Sequence, residues 1–305
     1  MLLTGASGLC GSHSLRSEPE SVLLTGASGL CGSHVLEYLL ARPDRFTVST
    51  MARRAVDREG HFRHDLRNRL PEDLIPGRLD AVVHCAAAVN EQDASYDVVD
   101  ANVRATFNLV AFARARGVKV FVNLSSIAVY GAPAEASSVP ETAPLRPRTA
   151  YGVAKVLTEA LISCHASEMA VVHLRLGYVL APVMPHRYFL VRMGRRLAAN
   201  DPVEIVNPDS TRFPFIEVAD VARACGAALA QAAEGALNLV ADDRPTLREV
   251  VEAIAHHHPA SSSPRQYLER PDERFSQCFD TTRAKTLMGV ERIGDPLAAI
   301  RAAAL

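Results

Sequence analysis

Tyr151 and Lys155 stand four residues apart in YGVAK, and Ser125 and Ser126 close an apolar run, KVFVNLSS, upstream of them. On a helix, residues four apart share a face, so the phenol and the ammonium would be neighbours. A cation beside a phenol favours the phenolate and brings the hydroxyl toward neutral pKa. Such a tyrosine can pass a proton to a substrate oxygen or take one from it. A serine hydroxyl held at a strand end can hydrogen-bond that same oxygen. Alone, Tyr-x-x-x-Lys is frequent on ordinary surface helices. Its position after LSSIAVYG (124–131) is what points to chemistry.

A second group is built from glycines. Thr25-Gly26-Ala27-Ser28-Gly29-Leu30-Cys31-Gly32 lies between the apolar run Val22–Thr25 and the helix-like stretch His34–Ala41. Between a strand and a helix, glycines let the backbone approach a pyrophosphate, and the helix N-terminus favours its charge. Gly26, Ser28, Gly29, Leu30 and Gly32 are therefore candidate dinucleotide contacts; the alternative is a turn that is only structural. The spacing is GxxGxxG rather than GxGxxG. After the next strand-like run, FTVSTMARR (46–54), an NAD-binding chain would carry an acid for the ribose 2′-hydroxyl. Thr50 and Met51 occupy that region, and Arg53 and Arg54 follow. A guanidinium suits a 2′-phosphate, which favours NADP(H) over NAD. The alternative is two solvated arginines, with NAD held through backbone contacts.

With these motifs in order, the chain resembles an extended short-chain dehydrogenase/reductase of the NAD-dependent epimerase/dehydratase family over nearly all of residues 22–305. DAVVHCAA (80–87) resembles the family's fourth strand, LRLGYVLAP (174–182) its LRxxxVYGP strand, FIEVADVA (215–222) its FIHVDDVA, and DTTRA (280–284) its D-x-S-R-A. The resemblance implies Ser126, Tyr151, Lys155 and Asn102 as the catalytic set. It implies that Lys155 holds the nicotinamide ribose beside Tyr151, that Asp65 and Leu66 flank the adenine, and that Cys85, Ala86 and Ala87 line the cofactor. On the substrate side it implies Ser125 and Ser126; Tyr178, a further candidate substrate contact, stands where nucleotide-sugar members commonly carry an Asn. Arg212 lies eight residues before Asp220, one more than the family's pyrophosphate-binding arginine. His186 is either a second acid in the substrate pocket or a solvated loop histidine. A homodimer through helices 94–116 and 150–167 is implied in the same way.

The reaction follows less directly. Family dehydratases carry an Asp-Glu pair after the catalytic Ser or Thr, where this chain has Ile127 and Ala128, so a 4,6-dehydratase is disfavoured. Sugar epimerases keep NAD tightly bound and carry the strand-end acid that is absent here. The expectation is an NADP(H)-dependent reductase of a keto-sugar nucleotide or a related secondary-metabolite carbonyl, with Tyr151 as acid/base. A nucleotide-sugar epimerase and a non-catalytic NADP-binding regulator are the alternatives.

These residues need a scaffold, and the alternation of apolar strand-like runs with helical ones supplies it. Continuous apolar strands between helices indicate a parallel sheet covered on both faces. The expected class is α/β, a Rossmann-type doubly wound parallel sheet (22–180) followed by a smaller mixed substrate lobe (181–305) that returns in part to the sheet. LLTGASGLCGSH occurs at 2–13 and again at 23–34. Only the second copy leads into a helical run, so residues 1–21 are expected to be a duplicated segment without order.

Composition limits the partners. Lys+Arg is 33 and Asp+Glu 34, a net charge of -1, which removes the basis for non-specific nucleic-acid binding. No uncharged apolar run reaches the ~18 residues of a membrane span. No secretory signal is visible. The six cysteines form no CxxC pair and have no metal-ligand spacing, so reduced thiols in a cytoplasmic protein without a metal are expected. His256–His258 reads as a solvated helix end.

Overall fold

A computed structural model describes residues 18–53, 58–89, 96–131, 138–186, 188–271 and 276–304. The first copy of the repeat and Arg54 lie outside the described residues. Along the chain come β1 (Glu20–Thr25), α1 (Leu30–Leu40), β2 (Phe46–Ala52), β3 (His61–Arg63), β4 (Ala81–His84), α2 (Tyr96–Ala115) and β5 (Val120–Ser126). A 3-10 turn over Ile127–Tyr130 leads to β6 (Ser138–Val139), α3 (Ala150–Ser163), β7 (Ala170–Leu176) and β8 (Tyr178–Leu180). Then follow α4 (Phe189–Ala198), β9 (Val203–Val206), β10 (Phe215–Glu217), α5 (Val218–Gln231), β11 (Gly235–Leu239) and α6 (Leu247–Ala255). The chain ends with β12 (Arg265–Leu268), β13 (Cys278–Phe279), α7 (Thr282–Met288) and α8 (Pro296–Ala302). β1 begins at Glu20, inside the span that the repeat had assigned to the duplicated segment. Its first amide pairs with Arg45 across the strand, so the ladder starts before the apolar residues do.

Seven strands form one parallel sheet in the order β11-β7-β5-β4-β1-β2-β3. Successive side chains on a strand point to opposite faces. Val22 and Leu24 of β1 and Val120 and Val122 of β5 accordingly meet α1, α5 and α7 in one core. Leu23 and Phe121 face the other way, onto Leu109, Phe112 and Ala113 of α2 and Ile162 of α3. Both faces are covered, which is why these strands read as unbroken apolar runs. The order reverses between β1 and β4. In such sheets ligands bind outside the carboxyl ends of the strands, at that reversal.

After β7 the chain leaves the sheet. A separate core, with Leu190, Leu197, Ile205, Phe215, Val250, Ile254 and Ile300, is enclosed by α4, α6, α8 and the strand pairs β8–β10 and β9–β12. β11 then returns to the sheet edge beside β7. At the end of α6, His256 is exposed as expected. His257 instead bonds the Ile300 carbonyl at 3.0 Å, and His258 is half-buried, because α8 packs over that end. Among the described residues no cluster of His, Cys, Asp or Glu is arranged to hold a metal, and no helix is long and apolar enough to cross a membrane.

Candidate active site

The glycine-rich turn follows β1 at the sheet's reversal. Gly26 has φ +72°, and a β-carbon there would stand 2.6 Å from the Ala86 amide nitrogen. Only glycine meets both conditions. Gly29 is the N-cap of α1 and offers no side chain to cap it, so the first amides of the helix, from Leu30 through buried Gly32, carry no side-chain acceptor. Ser28 and Gly29 are exposed at this end. A bare, uncapped helix N-terminus beside a close backbone turn fits the pyrophosphate of a dinucleotide. Cys85, Ala86 and Ala87 run along the same opening from the end of β4. Burial pushes the Cys85 thiol well up, so it is a neutral lining group. Beneath it, His84 bridges the Thr25 and Thr106 hydroxyls at 2.8 and 3.2 Å. Burial lowers its pKa to about 3, so it stays uncharged and ties β1, β4 and α2 together.

β2 runs to Ala52, and exposed Arg53 comes next. Asp65 is held by Arg67 at 2.6 Å, and that hydrogen bond brings its carboxyl to about 2. Its neighbour Leu66 is buried, with its carbonyl accepting from Asn108.

The second half of the site lies at the carboxyl end of β5. Ser126 ends the strand and caps the 3-10 turn, its Oγ accepting from the Ala128 amide at 3.2 Å. α3 starts close by, capped by Thr149, whose Oγ1 accepts from the Gly152 amide at 3.0 Å. A β-carbon on Gly152 would lie 2.7 Å from the Ala128 carbonyl oxygen. Glycine at this position therefore lets the first turn of α3 press against the segment after Ser126. Tyr151 and Lys155 follow on one face of α3. Both are buried, and Lys155 Nζ lies 5.7 Å from the Tyr151 ring centre. Lys155 donates to the Leu124 carbonyl at 2.6 Å. Burial lowers its pKa to about 8, although nearby thiols and Glu159 act in the opposite direction.

The structure separates residues that the sequence had grouped. Ser125 was expected beside Ser126 on the substrate. Adjacent strand residues face opposite ways, and Ser125 Oγ instead donates to Glu159 Oε1 at 2.5 Å inside the protein. Asn102 was expected in the catalytic set. Its side chain is buried and bound to backbone: Oδ1 accepts from the Ala88 amide, and Nδ2 donates to the Ala88 and Val98 carbonyls. It fixes the loop after β4 and has no donor left for substrate. Arg212 donates to the Arg244 carbonyl at 2.9 Å. His186 is exposed, with Nδ1 2.5 Å from an Arg195 nitrogen.

Ser126 and Tyr178 border a common cavity of about 180 Å³, together with Ile127, Ala128, Arg148, Thr149, Leu176 and Gln277. Behind Tyr178 lies an aromatic stack, with Phe213 5.0 Å from Phe189 and 5.4 Å from Phe215 between ring centres. Sequence reasoning missed Glu159, which stands four residues after Lys155. It pairs with Arg175 at 2.7 Å, both side chains almost wholly buried. Arg175 also donates to the Tyr130 hydroxyl, which donates to Asn238 of β11. The signal available was an acid one turn beyond the lysine and an arginine within an apolar strand.

Comparison with known proteins agrees with this geometry. A family model described as NAD dependent epimerase/dehydratase family matches residues 22–240. The dTDP-4-dehydro-6-deoxy-D-allose reductase of Streptomyces bikiniensis is 26% identical over 95% of this chain and 91% of its own length. The UDP-glucose 4-epimerase of Streptomyces lividans is 30% identical over 64% of this chain and 54% of its own. The solved structure of MoeE5 in complex with UDP-glucuronic acid and NAD superposes with a TM-score of 0.79, at 26% identity, over 93% of this chain and 97% of that one.

Proposed function

This chain belongs to the NAD dependent epimerase/dehydratase family, and on that premise we propose that it is an NADP(H)-dependent reductase acting on a carbonyl of a keto-sugar nucleotide or a related metabolite. The observation that carries the cofactor preference is the tip of β2. Ala52 and then an exposed Arg53 stand where an acid would hold the ribose of NAD. The full-length similarity to a keto-sugar reductase supports the same direction.

The cofactor, when bound, supplies the hydride. The protein's own part is to hold and protonate. The α1 N-terminus and Gly26 take the pyrophosphate, and Arg53 the 2′-phosphate. Lys155 holds the nicotinamide ribose and lends its charge to Tyr151. Tyr151 gives its hydroxyl proton to the carbonyl oxygen, and Ser126 Oγ hydrogen-bonds that oxygen as negative charge develops on it. Asn102 positions the loop that lines the cofactor. An epimerase with retained NAD is the second reading, favoured by the similarity to UDP-glucose 4-epimerase.

Denaturing the purified protein and identifying any released nucleotide separates the two. The expected result is an empty or exchangeable site that binds NADPH tighter than NADH. In Arg53→Ala that preference should narrow by roughly 10-fold, the loss of one charge-assisted hydrogen bond of about 1.5 kcal/mol. Stoichiometric, tightly held NAD would replace the reductase with the epimerase.

We further propose that two copies pair through α2 and α3. Phe107 of α2 and Val153 and Leu157 of α3 expose 59%, 39% and 41% of their surface. Light scattering is expected to give twice the chain mass for the wild type and the single mass for Phe107→Glu. A monomeric wild type would reject the pairing.

A further inference from the structure

The cavity beside Ser126 is bordered by an arginine, Arg148, that has no partner among the described residues. Arg67 pairs with Asp65, Arg175 with Glu159 and Arg248 with Asp209; what sets Arg148 apart is its place on the wall of this cavity. Arg148 lines the cavity with Ser126, and among the described residues it has no hydrogen bond and no ion pair. Its stem runs along Gly131, where a β-carbon would stand 3.3 Å from Arg148 Cγ. No acid lines the cavity among the described residues. Of the neighbouring polar groups, Thr149 caps α3 and Gln277 Nε2 donates to the Gly131 carbonyl. The N-terminus of α3, two residues on, adds to the positive potential on this wall.

Because Ser126 and Arg148 border one cavity, a substrate whose carbonyl reaches Ser126 can present the substituent on the adjoining carbon to Arg148. A guanidinium's planar fork matches a carboxylate in two parallel hydrogen bonds. We propose that Arg148 is a specificity-determining residue that selects substrates bearing a carboxylate next to the reacting carbon, as in a hexuronic acid. The inference rests on the nucleotide-sugar reading above, but not on the direction of the redox reaction.

Calorimetric titration of the NADP⁺-loaded protein tests it without turnover. UDP-glucuronic acid and UDP-glucose serve as probes, since they differ only at the carboxylate. The wild type is expected to bind the uronic acid at least about 10-fold tighter, in line with one charge-assisted pair. Arg148→Ala should remove that preference while keeping its affinity for UDP-glucose, and Arg148→Lys should restore part of it. Equal affinities in the wild type would overturn the inference. So would a preference that survives in Arg148→Ala, or a loss of both ligands in that variant. If neither sugar nucleotide binds the wild type, the nucleotide-sugar reading falls and takes the inference with it.

Discussion

Tyr151→Phe is expected to lower turnover by roughly 100- to 10,000-fold, the range for losing a positioned proton donor, while NADPH binding stays unchanged. The substitution deletes one oxygen and keeps the buried ring on α3, so the fold is expected to be retained. Stopped-flow reduction and fluorescence titration of the same sample separate the two effects. Turnover at the wild-type level would show that another group supplies the proton. The pH profile gives a second check. Burial lowers the Lys155 pKa to about 8, so its charge is present below that pH and lost above it. Because the charged form serves both ribose binding and Tyr151, kcat/KM should fall on the alkaline side of about pH 8. A flat profile from pH 7 to 10 would exclude Lys155 from the role assigned to it.

Glu159→Gln is expected to cost roughly 3–5 kcal/mol of stability, the range for removing one partner of a buried ion pair. Arg175 would keep its charge with no carboxylate to balance it. Burial pushes the Glu159 carboxyl up, yet Arg175, hydrogen-bonded and charged beside it, holds it below the usual carboxylate value. A depressed folded-state pKa means that the pair stabilises at neutral pH and that this share is lost as pH falls through the carboxyl's range. Urea unfolding at pH 7 and at pH 4 should therefore show a smaller acid-induced loss in Glu159→Gln than in the wild type. Equal losses would place the acid sensitivity elsewhere. Lys155 and Glu159 also grip consecutive residues of β5, the Leu124 carbonyl and the Ser125 hydroxyl. Activity should thus suffer in any molecules that remain folded.

Much of the sheet was legible because its strands are buried on both faces and therefore apolar throughout. The glycine turn and the Tyr151–Lys155 pair were legible because their spacing is local, set within one turn of backbone. Contacts made across long sequence separations were not. Ser125 and Ser126 are identical residues in one run, and only the pleat of β5 sends one to Glu159 and the other to the cavity. Asn102 carries the chemistry of a ligand residue, but its bonds go to a loop that passes fourteen residues earlier in the chain. Arg212 gives one of its donors to the Arg244 carbonyl, a contact between positions 32 residues apart that no local pattern signals. Arg148 gave no signal at all: an arginine before a helix is ordinary, and only its place on the cavity wall distinguishes it.

The route of the chain past β7 constrains how such a protein can be recombined. The segment that encloses the second core is not a terminal appendage: β11, α5 and α7 belong to the main sheet and its covering layer. A hybrid joined once, just after Leu176, would inherit from its second parent an edge strand and two covering helices shaped for a different sheet. Transplanting a foreign lobe needs several crossovers, with 218–239 and 282–288 kept from the host. Exchange within 178–217 alone carries Tyr178 and the phenylalanines behind it while leaving the nucleotide half of the molecule intact.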